Sequence, residues 1–151
     1  MTARELDKID LKLITMLQNN ARMSVAEMAR EIGKLTENAI RYRIGRLESE
    51  GYILEYTARL DPQMFGKNIT AFFNLNVLPE NIDSAVDYLK KIDYLTDVFI
   101  TTGRYTITAI GFFEDRGEIT RFITDNLKRI RMIDFDVITV LHKVKYEPFR
   151  I

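Results

Sequence analysis

Ser24-Val25-Ala26-Glu27-Met28-Ala29-Arg30-Glu31-Ile32-Gly33-Lys34-Leu35-Thr36-Glu37-Asn38-Ala39-Ile40-Arg41-Tyr42-Arg43-Ile44-Gly45-Arg46-Leu47 is the stretch on which the reading of this chain turns. Ser24 followed by Glu27 forms a capping box, in which each side chain satisfies a free backbone N–H at a helix start. Val25, Met28, Ala29 and Ile32 then recur at helical spacing as a buried stripe. Gly33, which tolerates positive φ, stops that helix. Lys34 and Leu35 make a short turn to Thr36, a second N-cap. The helix after Thr36 runs to about Glu50, with Gly51 as its stop, and is about 20 Å long at 1.5 Å per residue.

Unrolled at 100° per residue, this last helix has two unlike sides. Ile40, Ile44 and Leu47 fall together and face a core, while Asn38, Tyr42, Gly45 and Ser49 fall opposite. Arg41 and Arg46 flank the outer strip, and Arg43 lies beside the apolar stripe. The outer side is small and polar at its centre and cationic at its edges, which suits a helix entering the major groove of double-stranded DNA. On this reading Asn38, Arg41 and Tyr42 reach base edges and Gly45 allows close approach. Lys34 and Arg46 meet phosphates, with Thr36 at the helix start completing the contact set. Taken alone, a charge run is more often a solvated face. The capped helix pair, the Gly-containing turn and the bare outer strip together outweigh that alternative. Arg43, at the core flank, is expected to pair with an acid and lock helices together.

Working outward, Asp7 caps an earlier helix whose Leu6, Ile9, Leu13 and Leu17 share one face and which ends at Asn19-Asn20-Ala21. The 151 residues suffice for one ordinary domain or two small ones. An apolar share of 46% against 29% charged excludes a disordered chain. No apolar run approaches the roughly 20 residues of a membrane span, and Met1 to Lys8 carries no apolar signal core, so a cytoplasmic protein is expected. Cysteine is absent, which removes disulfides, thiolate metal sites and cysteine nucleophiles. One histidine, His142, cannot build a multi-histidine metal centre. Net charge is zero, but Gly33–Leu47 holds four basic residues against Glu37 alone, and clustering matters more than the sum.

After Gly51 the period changes, and the segment through Leu60 reads as a strand. Asp61-Pro62 and Gly66-Lys67-Asn68 read as a linker. Beyond it, Thr70–Leu78 is a strand. Pro79-Glu80-Asn81 opens a helix with Ile82, Ala85, Val86 and Leu89 on one face. Asp97–Thr102 and Tyr105–Phe113 are strands joined at Gly103-Arg104. Asp115 and Glu118 make another capping-box pattern before Ile119, Phe122, Ile123 and Leu127, and Asp136–Tyr146 is the last strand. The order βαββαβ is the ferredoxin-like plan. The fold expected is therefore α+β. A helix-turn-helix, winged-helix-like domain spans 1–55, a linker strand and turn 56–68, and a ferredoxin-like domain 69–151. His142 shares a strand face with Val140 and Val144 and reads as a packed or surface residue. Asp134 and Asp136 read as an acidic turn. Phe72, Phe73, Phe99, Phe112 and Phe113 read as core or interface. No catalytic motif is present and no cofactor is implied.

Three motifs together resemble the Lrp/AsnC (feast/famine) family of prokaryotic transcription regulators, over nearly the whole chain. They are Leu6-Asp7-x-x-Asp10-x-x-Leu13-Ile14-x-x-Leu17-Gln18-x-Asn20-Ala21-Arg22-x-Ser24, Arg43-Ile44-x-Arg46-Leu47-Glu48-x-x-Gly51-Tyr52-Ile53, and Asp61-Pro62-x-x-Phe65-Gly66. The resemblance implies a DNA-binding regulator whose C-terminal domain forms homodimers, gathers them into octamers, and often binds an amino acid between dimers. The effector region it implies is Thr101, Thr102, Gly103, Arg104, Tyr105 and Thr106. Two departures stand out. The turn between the two helices is one residue longer than usual, which bears on the tilt of the recognition helix. The family's Gly-x-Tyr-Asp is here Gly103-Arg104-Tyr105-Thr106, without the acid that faces an ammonium group. Arg104 then favours a carboxylate, and Thr106 offers an ammonium one hydrogen bond. Two readings from other classes are a regulatory subunit of a metabolic enzyme, which requires a catalytic constellation, and an architectural DNA-compacting protein without effector.

Overall fold

The computed structural model describes residues 5–145 and 147–151. They group into two compact units. One holds the residues through Arg59 together with 147–151; the other is Leu60–Lys145.

The first unit is built from α1 (Lys8–Asn19), α2 (Val25–Ile32) and α3 (Glu37–Ser49). Local chemistry starts each of them. Asp7 caps α1 by accepting from the amides of Ile9 and Asp10, both at 2.8 Å, and Asp10 reaches back to the Asp7 amide at 3.4 Å. The Ser24–Glu27 box is complete, with both reciprocal bonds made. Thr36 accepts from the Ala39 amide at 3.3 Å. Gly33, at φ +74°, ends α2 in the left-handed region, where a Cβ is strained. Leu13, Met16, Met28 and Ile40 form the buried centre, with Ile9, Leu17, Val25, Ala29, Ile32 and Ile44 packed around it. The tail joins this unit through Gln18. Its amide nitrogen donates to the Phe149 carbonyl at 3.0 Å, and its amide oxygen accepts from the Ile151 amide at 3.4 Å. Residues 147–151 thus group apart from the rest of the 69–151 range.

The second unit carries β1 (Ile69–Asn76), α4 (Ile82–Leu89), β2 (Leu95–Ile100), β3 (Ile107–Phe113), α5 (Arg116–Asp125) and β4 (Asp134–Thr139). The sheet order is β2-β3-β1-β4, every neighbouring pair antiparallel, which is the ferredoxin-like arrangement. Strand alternation sorts side chains by face. Ala71, Phe73, Leu75, Ile107, Ala109 and Phe113 enter the core with Ala85, Val86, Leu89, Ile119 and Phe122 from the two helices. Phe72, Ile110 and Ile138 share the other face, Phe72 lying opposite both partners. The phenylalanines are therefore divided: Phe73 and Phe113 are fully buried, whereas Phe99 is exposed.

Several sequence expectations are corrected. No strand forms over 53–60, so the wing-like element is absent among the described residues; the Tyr52 and Ile53 amides instead close α3 by donating to the Leu47 carbonyl. Pro62–Phe65 is a short 3-10 turn rather than plain linker. The last strand begins at Asp134 and stops at Thr139, opposite Ala71, with one further bond from the Val140 amide to the Thr70 carbonyl before the chain leaves the sheet. Asp134 and Asp136 thus lie in a strand, not a turn. His142 and Val144 are exposed outside it, and the far end expected at Tyr146 lies outside the described residues. The middle hairpin is closed by the Thr101 amide donating to Thr106, so its strands are shorter at the turn than expected. At α5 the capping box is offset. Asp115 accepts from the Glu118 amide at 2.8 Å, but Glu118 accepts from Glu114, at 2.6 Å, rather than from Asp115.

Candidate nucleic-acid interface

Helix α3 is fixed on its inner side by apolar contacts and by charge. Ile40 and Leu47 are fully buried. Asp10 on α1 is buried without residual exposure, and its two carboxylate oxygens accept from Arg43 Nη1 at 2.6 Å and Arg46 Nη2 at 2.9 Å. Arg43 Nη1 also donates to Asp7 at 2.7 Å. Arg43 is thereby held in its charged form, chiefly through Asp7 and then Asp10. The Asp7 carboxyl is drawn down to about 2, first by the Asp10 amide and then by Arg43. Arg43 therefore locks α3 to α1, as its place at the core flank suggests.

Arg46 does the same, and its assignment as a phosphate contact is corrected. Its side chain is 17% exposed, bonded inward to Asp10, with Nε 3.7 Å from Glu50, too far for a hydrogen bond. A helical projection places Cβ atoms only, and a long guanidinium can fold back toward a buried carboxylate. One sequence signal could have shown it. Asp10 lies three residues before Leu13, so an acid sits within the apolar stripe of α1, where only a cationic partner makes it tolerable.

The outer side of α3 is open. Lys34, Thr36, Asn38, Arg41, Tyr42 and Gly45 are all exposed, Tyr42 at 71%. Apart from its chain neighbours and the backbone of its own helix, no described atom lies within 4 Å of where a Cβ on Gly45 would stand. Arg41 is 3.8 Å from Glu37, one turn back, and both are solvent-exposed. Such a pair holds weakly, by about 0.3–0.5 kcal/mol, and releases Arg41 to a better partner. The Thr36 hydroxyl is partly committed as the α3 cap.

The turn at 101–106 differs from expectation in both side chains assigned a ligand role. The Thr106 hydroxyl accepts from the Val77 amide at 2.9 Å and lies 3.0 Å from the Val77 carbonyl, where its proton goes. It ties the end of β1 to the hairpin instead of presenting an oxygen to an ammonium. Arg104 Nη2 donates to Asp134 at 2.7 Å, and its guanidinium stacks 5.1 Å from the Tyr105 ring centre. Its charge is already matched, and Asp134 is held below the usual carboxylate range by it. The Thr101 hydroxyl donates to the Tyr105 carbonyl at 2.8 Å, and Gly103 takes φ +107° at the turn tip.

Comparison with known proteins agrees with this geometry. Residues 6–48 match the AsnC-type helix-turn-helix domain. The chain is 31% identical over 122 residues to the HTH-type transcriptional regulator Ptr1 of Methanocaldococcus jannaschii, spanning 81% of this chain and 82% of Ptr1. The structure of E. coli AsnC matches with a TM-score of 0.90 over 97% of this chain and 99% of that one; at 20% identity it shows the shared fold. A further similar structure is the L-Met complex of the transcriptional regulator NMB0573 from Neisseria meningitidis, with a TM-score of 0.82 at 25% identity over 94% of each chain. With a capped helix pair presenting an open outer face, and a ferredoxin-like unit behind it in sequence, the chain belongs to the Lrp/AsnC family of helix-turn-helix transcriptional regulators.

Proposed function

We propose that α3 reads operator DNA through Asn38, Arg41 and Tyr42, with Gly45 admitting the groove wall and Lys34 and Thr36 meeting the phosphate backbone. The observation that carries this is the division of α3. Its inner arginines are spent on Asp10, while its outer strip is exposed and only weakly self-paired. The protein acts by binding in the cytoplasm, without a catalytic step; among the described residues no helix is long and apolar enough to cross a membrane. Selection of bound sequences from a random DNA pool, followed by variants, tests the assignment. Arg41→Ala relaxes specificity at one position, by about 1–3 kcal/mol. Lys34→Ala weakens all sequences alike and flattens the salt dependence. An Arg41→Ala variant with unchanged operator affinity sinks the assigned face.

The protein works as a homodimer joined through the second unit, with dimers gathered into octamers. Supporting this, Phe72, Ile110 and Ile138 make an apolar strip on the sheet face that α4 and α5 leave uncovered. Two copies then read half-sites about 34 Å apart. Light scattering on Phe72→Asp is expected to show a smaller species than the parent. An amino acid or small carboxylate is the proposed effector at the turn of 101–106, the amino-acid class being supported by the L-Met complex of a relative. With Arg104 and Thr106 engaged internally, the ligand meets backbone groups of Thr101, Thr102 and Gly103 and the Tyr105 ring.

A further inference from the structure

A cleft of about 450 Å³ opens on the second unit, beside the start of α4 and the segment that follows α5. It shares no residue with the turn at 101–106 or with α3. Ser84 and Tyr88, one helical turn apart, form one wall, and Arg129 and Arg131 form the other. The floor is apolar: Ala85 and Ile130 are both buried.

The charges in this cleft are unbalanced. Lys128-Arg129-Ile130-Arg131 is a basic run, and both arginines are exposed. Among the described residues neither guanidinium makes an ion pair or a side-chain hydrogen bond, whereas Arg43, Arg46 and Arg104 are each bonded to a carboxylate. The acid on the Tyr88 side of α4, Asp87, is 4.0 Å from Lys90. Two guanidinium forks beside one cleft repel each other and carry donors that suit planar or tetrahedral oxyanions bidentately.

The remaining polar atoms narrow the ligand. The Asn81 side chain makes no capping bond, which leaves its amide as a further donor. The Ser84 hydroxyl donates to the Asn81 carbonyl at 2.9 Å, and the Tyr88 hydroxyl donates to Asn126 at 2.9 Å. Each has spent its proton, so each presents only an acceptor lone pair. We propose that this cleft binds a small hydroxylated dianion, a dicarboxylate or a phosphate monoester. Arg129 and Arg131 hold its charge, Tyr88 or Ser84 accepts from its hydroxyl, and its carbon skeleton lies on Ala85 and Ile130. The volume falls within the range of small-metabolite sites.

Calorimetry on the full-length protein tests this with malate, succinate, glycerol phosphate, inorganic phosphate and, as a neutral control, glutamine. The expected result is binding of at least one dianion that depends on Arg129 and Arg131, whereas any heat from glutamine belongs to the turn at 101–106 and survives the loss of both arginines. Malate over succinate reports the hydroxyl contact, malate over glycerol phosphate marks the dicarboxylate class, and glycerol phosphate over malate marks the phosphate class. The double variant Arg129→Gln/Arg131→Gln, exposed and able to fold as judged by circular dichroism, weakens binding by about tenfold or more, since charge-assisted bonds are roughly twice as strong as neutral ones. Tyr88→Phe narrows the preference for the hydroxylated ligand. Arg104→Gln leaves the component that depends on Arg129 and Arg131 unchanged. The proposal is overturned if no dianion binds, or if the double variant binds as well as the parent. It is equally overturned if the double variant instead lowers DNA affinity with a shallower salt dependence and no dianion binds, which assigns the two arginines to the DNA backbone.

Discussion

In the second unit the centre is aromatic. Phe73, Phe113 and Phe122 are essentially fully buried, and with Tyr94 they meet mostly edge to face, with ring centres 4.5–5.9 Å apart. In the first unit the centre is four aliphatic side chains and a carboxylate, Asp10, neutralised by two arginines from α3. The aromatic cluster gains from area removed from water and from ring geometry, neither of which demands one orientation of a helix about its axis. The charge cluster gains little net energy, since desolvation offsets attraction, but it is directional. It fixes the rotation of α3, and hence the direction in which Asn38, Arg41 and Tyr42 point. Burial supplies bulk where a platform suffices, and charge supplies orientation where a reading face must be aimed.

Asp10→Ala is the strongest way to break this contrast. It leaves Arg43 with Asp7 alone and strands Arg46, whose remaining acid, Glu50, is 3.7 Å away, and the first unit loses about 3 kcal/mol. Thermal unfolding followed by tryptophan-free near-UV and amide signals should show an early transition for the first unit and an unmoved one for the second. A sharper version replaces Asp10, Arg43 and Arg46 together by Leu and Met. Stability then recovers while operator affinity does not; recovery of both removes the orienting role. On the other side, Gly111→Ala puts a Cβ 3.0 Å from Leu95 Cδ2, Phe113 Cε2 and the Tyr94 carbonyl. Because one of these is backbone, about 1–3 kcal/mol of strain is expected, confined to the second transition.

Smaller effects follow in the first unit. Ser24→Ala removes the α2 cap and costs about 1 kcal/mol in chemical denaturation. The smallest is acid sensitivity. The Asp7 carboxyl titrates at about 2 in the folded protein against an ordinary 3.8. Its contribution is therefore fully present above pH 4 and is lost as pH falls toward 2, because the unfolded chain takes up the proton first. Asp7→Asn keeps an N-cap but removes this titration, so the acid slope of the first transition should flatten in that variant relative to the parent.

What was legible in the sequence was what neighbours along the chain decide. The Ser24–Glu27 box, the Thr36 cap and Gly33 act within four residues, and the structure follows them closely. The order of strands and helices was equally readable from period and punctuation. What failed to read depended on distant partners. Arg46 turns inward for Asp10, 36 residues away, and Thr106 is claimed by Leu75 and Val77 across the sheet. The alternation after Gly51 had the pattern of a strand, but a ladder needs a neighbour, and none forms there among the described residues. The bulge between Leu95 and Asp97 shifted β2 for the same reason, since register belongs to the pair and not to either strand.

The bonds from Gln18 to Phe149 and Ile151 turn the second unit into a ring closed within the first. While residues 60–145 are folded, their ends are held by their own structure and closing the ring costs almost nothing further. If they unfold while α1 stands, the same closure restrains a long flexible chain at both ends, at a cost on the order of 4 kcal/mol. The two neutral hydrogen bonds to Gln18, worth roughly 1 kcal/mol each, offset only about half of that cost. The bonds to Gln18 are then weakened, and any protection of the Ile151 amide against hydrogen exchange should fall together with the core of the second unit rather than with the helix it touches. The last residue of the chain becomes a gauge, carried on the first unit, of whether the second is intact.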